Sequence, residues 1–535
     1  MPRDDAQKHD DIQEPLLERR AFLSTLLAGM AGMPLLFRSE GASAAVSAAA
    51  DGATVGAQPS NDPAHLPKMI RASARHWRVP FECMAIDVRD LSSGRTLLRF
   101  NDGVPHAPAS TAKLFTTLAA LELLKERAGD FRFETRLFRR RNADSALPAL
   151  ILAGGGDPGF TASDLEAMLG ELMAGGLTSI EGDILIDRSY FPSAAAVEPK
   201  PLSAHLRRTG WEQRWRVGPD AMTIGDRCLT FTFVPQADGT AAVRMSPALD
   251  GIDWQKTVPL LSGRCVDWDD RLERDVLVLP SGGKRVVFRG GYPGACGKEE
   301  LQMSLETADA FAERAIRTIW TSLGGIWNGR LRSSADPLET AILKSEGFTL
   351  AAARRSRSVP SLVRDINKDS INPGAESLFL SLSEERTAEA SAAVIDRWLD
   401  GRGISHESFV IGGGDGLDSR ARVDAQLMGD LLSYAQQLPC WSDFLRSLPE
   451  VGVDGTMKRR GLPGVTAYAK TGTLAATRTL AGYVRHRSGR LLSVYGAVWD
   501  KSAMPGARAF LDGILLWAAA LEDADFIAEE MKSKS

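Results

Sequence analysis

A lysine stands inside an apolar helical run at 108–121, Pro-Ala-Ser-Thr-Ala-Lys-Leu-Phe-Thr-Thr-Leu-Ala-Ala-Leu. Pro108 sits where a helix start tolerates proline, because the first N–H groups have no partner there. Leu114, Phe115, Leu118 and Leu121 recur at helical spacing, so the stretch reads as a buried helix running to about 127. Burying the amino group of Lys113 is costly unless something compensates it. Three residues make about one turn, so Ser110 and Lys113 share a face. A dry site disfavours the charged form of a lysine, and a neutral amine beside a hydroxyl is a base for a serine nucleophile. S-x-x-K alone is a weak signal. The chain has a second copy, Ser281-Gly282-Gly283-Lys284, which reads as a loop tip.

At 535 residues the chain exceeds one ordinary core. Charged residues make up 25% and the net charge is −4, which gives no reason to expect nucleic acid or an anionic membrane as partner. Residues 1–50 read as an export signal and linker. Arg19-Arg20 precede Ala-Phe-Leu, an apolar segment runs to about 37, and Ala42-Ser43-Ala44 or Ala48-Ala49-Ala50 offers a cleavage site. The paired arginines favour a twin-arginine signal, the alternative being a Sec signal with two arginines in its charged region. A periplasmic or other extracytoplasmic location is expected, with at most peripheral membrane association, since no later segment is long and apolar enough to span a bilayer.

The pattern changes twice along the chain. A hairpin over 81–100 leads into the 110 helix. From 131 to 350, short apolar runs alternate with Gly, Pro and Asp: mostly strands, with helices at about 162–174 and 306–322. After 350, helices are expected at about 359–367, 373–383, 386–401 and 423–438. Antiparallel strands follow at 465–470, 481–486 and 491–499, then a final helix at 504–521. The fold class is therefore α/β, in the α+β sense. Segments 51–130 and 351–530 form one domain, an antiparallel sheet flanked by helices, split by a mostly β insertion at 131–350 that forms one or two subdomains. Of five cysteines, Cys265 and Cys296 flank a strand-turn-strand region and are the expected disulfide, while Cys83 reads as a buried thiol in a strand. Scattered histidines and the lack of C-x-x-C leave no metal site to expect, and no cofactor.

Two later stretches carry chemistry. In Ile366-Asn-Lys-Asp-Ser370-Ile-Asn372-Pro373, Ser370 and Asn372 can turn toward one cleft, or Asn372 can simply cap the helix that Pro373 begins. In Ala469-Lys470-Thr471-Gly472-Thr473 a strand presents a cation and two hydroxyls. Gly472 leaves room for a peptide-like ligand against that strand, although K-T-G also occurs at solvated strand ends. The order S-x-x-K, S-x-N, K-T-G is that of serine penicillin-binding proteins and β-lactamases.

With these motifs the chain resembles the class C penicillin-binding proteins of the D-alanyl-D-alanine carboxypeptidase/endopeptidase type, peptidase family S13. The resemblance covers about 65–525. Gly-Asp157-Pro, Gly182-Asp-Ile-Leu-Ile-Asp187 and Asp454-Gly-Thr456 support it, as does the interval of 260 residues between Ser110 and Ser370. It implies a transpeptidase-like domain with Ser110 as nucleophile, Lys113 as base, and Ser370, Asn372 and Lys470 as the other catalytic residues. Thr471, Gly472 and Thr473 would bind substrate, and the N–H groups of Ser110 and Thr473 would form the oxyanion hole. The implied substrates are peptidoglycan stem peptides, cut at D-Ala-D-Ala and at D-Ala–diaminopimelate cross-links, with β-lactams as covalent inhibitors. The competing functions are a β-lactamase or esterase on the same fold, and a non-catalytic peptidoglycan-binding protein. One segment departs from the family: Gly414-Asp415-Gly416-Leu417-Asp418-Ser419 stands where the pattern is Gly-Ser-Gly-Leu-Ser-Arg.

Overall fold

The computed structural model describes residues 60–124, 129–141, 147–191, 204–265, 268–269, 271–337 and 347–521; the signal read at 1–50 lies outside them. The chain forms two compact units. Among the described residues the first comprises 60–122, 363–370 and 392–521, and the second 123–362 and 371–391.

The first unit is built on a five-stranded antiparallel sheet. Its order is Thr466–Leu474, Thr477–Arg485, Leu491–Trp499, Met84–Asp90, Arg95–Phe100, so strands from both ends of the chain meet between Leu491–Trp499 and Met84–Asp90. Alternation along the strands separates two faces. Ile86, Val88, Val494 and Val498 pack with Phe510, Leu511, Ile514 and Leu515 of the helix Met504–Ala519, and with Ile70 and Ala74 of Lys68–His76. The opposite face carries polar groups. Asp87 and Arg89 lie against the helix Ala425–Ala435, where a Cβ on Gly429 would come within 2.3 Å of Asp87 Oδ1. Arg89 binds Asp87 and Asp430, and burial still pushes the Asp87 carboxyl up to about 6. A polar face inside a sheet is tolerable only when its groups are paired. Here that face also holds the candidate site.

The second unit contains the mixed sheet Leu331–Ser334, Ile184–Asp187, Leu150–Ala153, Glu134–Arg140, Phe348–Arg355, together with a six-stranded and a three-stranded sheet. Its core gathers Leu165 and Met168 from Ala162–Ala174, Phe311 and Trp320 from Ala308–Ser322, and the aromatics Phe231, Phe233, Phe288 and Tyr292. Cys265 and Cys296 are joined by a disulfide.

Several boundaries differ from the sequence reading. The strand Phe348–Arg355 pairs with Glu134–Arg140, so this unit runs past 350. Residues 371–391, expected in the split domain, group with the insertion: Leu380 packs with Phe191 and Ala221, and Arg386 lies over the Tyr190 ring. Phe81–Cys83 is a 3-10 turn ahead of its strand, so Cys83 is a half-buried free thiol outside the sheet. Burial is the first of the causes that raise its pKa. The helices Lys68–His76 and Trp441–Ser447 have no counterpart among the elements expected from the sequence. No helix among the described residues is long and apolar enough to cross a membrane.

Candidate active site

Ser110 lies in a 3-10 turn, Ala109–Ala112, that feeds the buried helix Lys113–Ala119; a wide turn, Ala120–Leu124, follows. Ala109, just before the serine, has φ +48. That left-handed conformation is strained for alanine and persists only when its surroundings enforce it. They do so here. The Pro108 carbonyl accepts from Thr111 Oγ1 at 2.7 Å and from Thr479 Oγ1 at 2.8 Å. Two glycines press on the turn. A Cβ on Gly416 would sit 1.8 Å from Ala109 O, and one on Gly472 would sit 2.1 Å from Thr479 Oγ1 and 2.8 Å from Ala109 Cβ. The space left by Gly472 is thus filled by the serine turn rather than held open for a ligand.

His106, four residues before Ser110, is buried. Its ring stacks on Trp499, centroids 4.8 Å apart. Nδ1 lies 2.8 Å from the Val104 carbonyl, which can only accept, so Nδ1 carries the proton and Nε2 accepts from Tyr495 O–H at 2.7 Å. Burial brings the His106 pKa down to about 4.

Lys113 is fully buried. Its Nζ donates to Ser110 Oγ at 3.1 Å and to the Asp415 carbonyl at 2.6 Å. Thr116 Oγ1 donates to the Gly414 carbonyl at 2.7 Å, so the 414–416 segment is bound along this helix. Ser110 itself is only half-buried, leaving its hydroxyl within reach of a ligand.

A second serine–lysine pair belongs to the same unit. The helix Val359–Asp369 ends at Ser370, whose φ of +58 takes the left-handed turn usually given to glycine at a helix end. Lys470, also fully buried, donates from Nζ to Ser370 Oγ at 2.9 Å and to the Thr471 carbonyl at 2.9 Å. Its pKa lies well below the ordinary lysine value. Burial is the main cause and the positive charge of Lys113 the second, with Asp369 opposing them. Asn367 secures this helix to the first: its Nδ2 donates to Thr117 Oγ1 at 3.2 Å and to Ser447 Oγ at 2.9 Å.

Thr466–Leu474 is the outer strand of its sheet. Residues 449–451 cover the first half of its free edge through Val451 N–H to Ala467 O and Ala469 N–H to Pro449 O. Thr471 and Thr473 lie beyond that cover, half-buried and exposed respectively. An extended peptide can add to such an edge as a further strand.

Asn372 falls in the second unit. It opens the helix Asn372–Leu380 without capping it, and its Nδ2 donates to the Trp215 carbonyl at 2.7 Å. The capping alternative is therefore set aside. Asp415 turns its Oδ1 to the Leu417 N–H at 2.9 Å, and Asp418 pairs with Arg420 at 2.9 Å, so both departures from the family pattern shape their own loop. His106, Thr479 and the Asp415 carbonyl were missed by sequence reasoning. None belongs to a local pattern, and the Asp415 carbonyl is 302 residues from Lys113. Among the described residues no group of His, Cys, Asp or Glu could hold a metal ion.

Residues 68–517 match the model of the D-Ala-D-Ala carboxypeptidase 3 (S13) family. A D-alanyl-D-alanine carboxypeptidase of Actinomadura sp. (strain R39) is 27% identical over 454 residues, covering 80% of this chain and 79% of that one. The D-alanyl-D-alanine carboxypeptidase DacB of Haemophilus influenzae is 24% identical over 422 residues, 75% of this chain and 82% of that one. The crystal structure of penicillin-binding protein 4 (dacB) from Haemophilus influenzae superposes with a TM-score of 0.58 at 22% identity, covering 83% of this chain and 98% of that one; it shares the fold.

Proposed function

The chain belongs to the D-Ala-D-Ala carboxypeptidase 3 (S13) family, and on that premise we propose that it is a serine DD-peptidase of peptidoglycan with Ser110 as nucleophile. The observation that carries this is the pairing of Ser110 with a buried Lys113 and of Ser370 with a buried Lys470 in one unit. Lys113, in its uncharged form, takes the Ser110 proton as Oγ attacks the carbonyl of the penultimate D-Ala. The N–H groups of Ser110 and Thr473 receive the oxyanion. The C–N bond breaks, Ser370 passes a proton from the Lys470 side to the leaving amine, and an ester to Ser110 remains. Water then cleaves the ester: its proton passes through Ser370 to Lys470, and Ser110 regains its own from Lys113. The low pKa of Lys470 supports its part, since an amine that gives up its proton easily can feed a relay.

Asn372 orients the peptide amide. Thr471 and Thr473 donate to the terminal carboxylate along the strand edge, with Gly472 shaping the serine turn between them. The substrates are stem peptides ending in D-Ala-D-Ala, and cross-links in which diaminopimelate follows the D-Ala. β-Lactams acylate Ser110. The work is done outside the cytoplasm, after export on the signal at 1–50, by the twin-arginine route.

Fluorescent penicillin is expected to label the purified protein, and Ser110→Ala to abolish the label; an equally labelled variant refutes the assignment. Mass spectrometry of products from a defined cross-linked muropeptide then separates carboxypeptidase from endopeptidase action.

A further inference from the structure

The hydroxyls of Thr471 and Thr456 lie 2.9 Å apart. Thr456 is exposed and comes from the 3-10 turn Gly455–Met457, outside the three motifs. That turn is firmly placed. Asp454, which precedes it, receives Lys368 Nζ at 2.6–2.8 Å and the Glu450 N–H at 2.9 Å. Lys368 Nζ also donates to the Leu448 carbonyl at 2.7 Å. Gly455 has φ +52, and a Cβ there would stand 2.3 Å from the Lys368 carbonyl. The last turn of the helix that ends at Ser370 therefore sets the position of Thr456 as well.

We propose that Thr456 is a positioning residue for recognition of the substrate's terminal carboxylate, acting through Thr471. The inference rests on the reading of Thr471 as a carboxylate donor. A threonine hydroxyl has one proton and two lone pairs, whereas a carboxylate can only accept. Without substrate the Thr471 proton points to Thr456 Oγ1. When a carboxylate arrives, that proton turns to it, and Thr456 donates its own to the lone pair of Thr471. The two O–H groups then align toward the anion and polarise each other. The arrangement favours substrates with a free carboxylate on the residue after the scissile bond over their amides.

The test is steady-state hydrolysis of a D-Ala-D-Ala peptide and of its C-terminal amide by wild type, Thr456→Val, Thr456→Ser and Thr471→Val. Thr456→Val keeps the shape of the side chain and removes the donor. KM for the acid is expected to rise about fivefold, the size of one neutral hydrogen bond, with kcat held, and the preference for acid over amide to shrink by the same factor. Thr456→Ser restores both. The inference is overturned if Thr456→Val leaves KM and the preference at wild-type values while Thr471→Val lowers the preference. If Thr471→Val also leaves the preference intact, the carboxylate reading falls with it. Penicillin labelling of wild type shows independently whether the serine chemistry stands.

Discussion

The chain carries S-x-x-K at 110–113 and again at 281–284, in different units. In the first copy the serine opens a helix, so three residues of separation bring Lys113 Nζ to 3.1 Å from Ser110 Oγ. In the second, Gly282 at φ +80 turns a hairpin between Leu272–Val278 and Lys284–Gly290. Ser281 is exposed at the tip, and its Oγ accepts from the Gly283 N–H at 3.4 Å. Lys284 points elsewhere, to the Leu305 carbonyl and to Glu306 at 3.6 Å. Burial lowers the Lys284 pKa, but Glu306 opposes the change; Lys470, at the first site, has a like charge as neighbour and an acid only as a weaker one. Identical spacing becomes a hydrogen-bonded serine–lysine pair with a buried amine only where a helix start aligns the two residues and distant segments dry and brace them.

The largest contrast is in acylation. Lys113→Ala is expected to slow penicillin acylation by on the order of 10²–10⁴-fold, the usual loss for a general base, whereas Lys284→Ala stays within about twofold of wild type. Stopped-flow acylation reads both, and equal losses would erase the distinction.

Next in size is the pH dependence behind the first copy. His106 titrates at about 4 in the folded chain against 6.5 ordinarily. Its contribution to stability is fully present above 6.5 and is lost as pH falls through about 4. The difference is worth about 3 kcal/mol. Asp87, raised to about 6, works in the opposite direction, so the measurement is the difference between wild type and His106→Gln in urea unfolding at pH 7 and pH 4. The variant should lose less stability on acidification, and parallel losses would show that His106 is not the group responsible.

Glycines beside the two copies come third. Gly472→Ala drives a Cβ into Thr479 and Ala109 and should cost about 1–3 kcal/mol as overpacking, with acylation impaired because the serine turn must shift. Gly282→Ala meets open space and pays only the left-handed backbone, about 1 kcal/mol, with acylation intact. Thermal melts and labelling separate the two outcomes. Smallest of all is Ser281→Ala, expected within about 0.5 kcal/mol of wild type and fully labelled.

Much of this was legible in the sequence because it is periodic or local. Ala162–Ala174 and Leu491–Trp499 occur where apolar spacing places them, and the three motifs sit on a helix start, a helix end and an edge strand. The domain boundaries were less legible. Phe348–Arg355 and 371–391 carry no local mark of the unit they join, because their partners, Glu134–Arg140 and the residues around Tyr190, are remote in sequence. The 414–419 segment stands out in the sequence for two aspartates, yet its backbone makes the close contact: the Asp415 carbonyl with Lys113, and Gly416 against Ala109.

The sequence by itself determined that a lysine would be buried one turn from a serine, since side-chain spacing and apolar periodicity are properties of the chain alone. Tertiary structure decided what that burial means. Only folding brings the Asp415 carbonyl and the turn-bracing Thr479 to this helix start, and sets Lys113 close enough to Lys470 for its charge to lower the Lys470 pKa. The physical reason is that electrostatics and packing act through space, between groups whose distance along the chain carries no information about their distance in the fold.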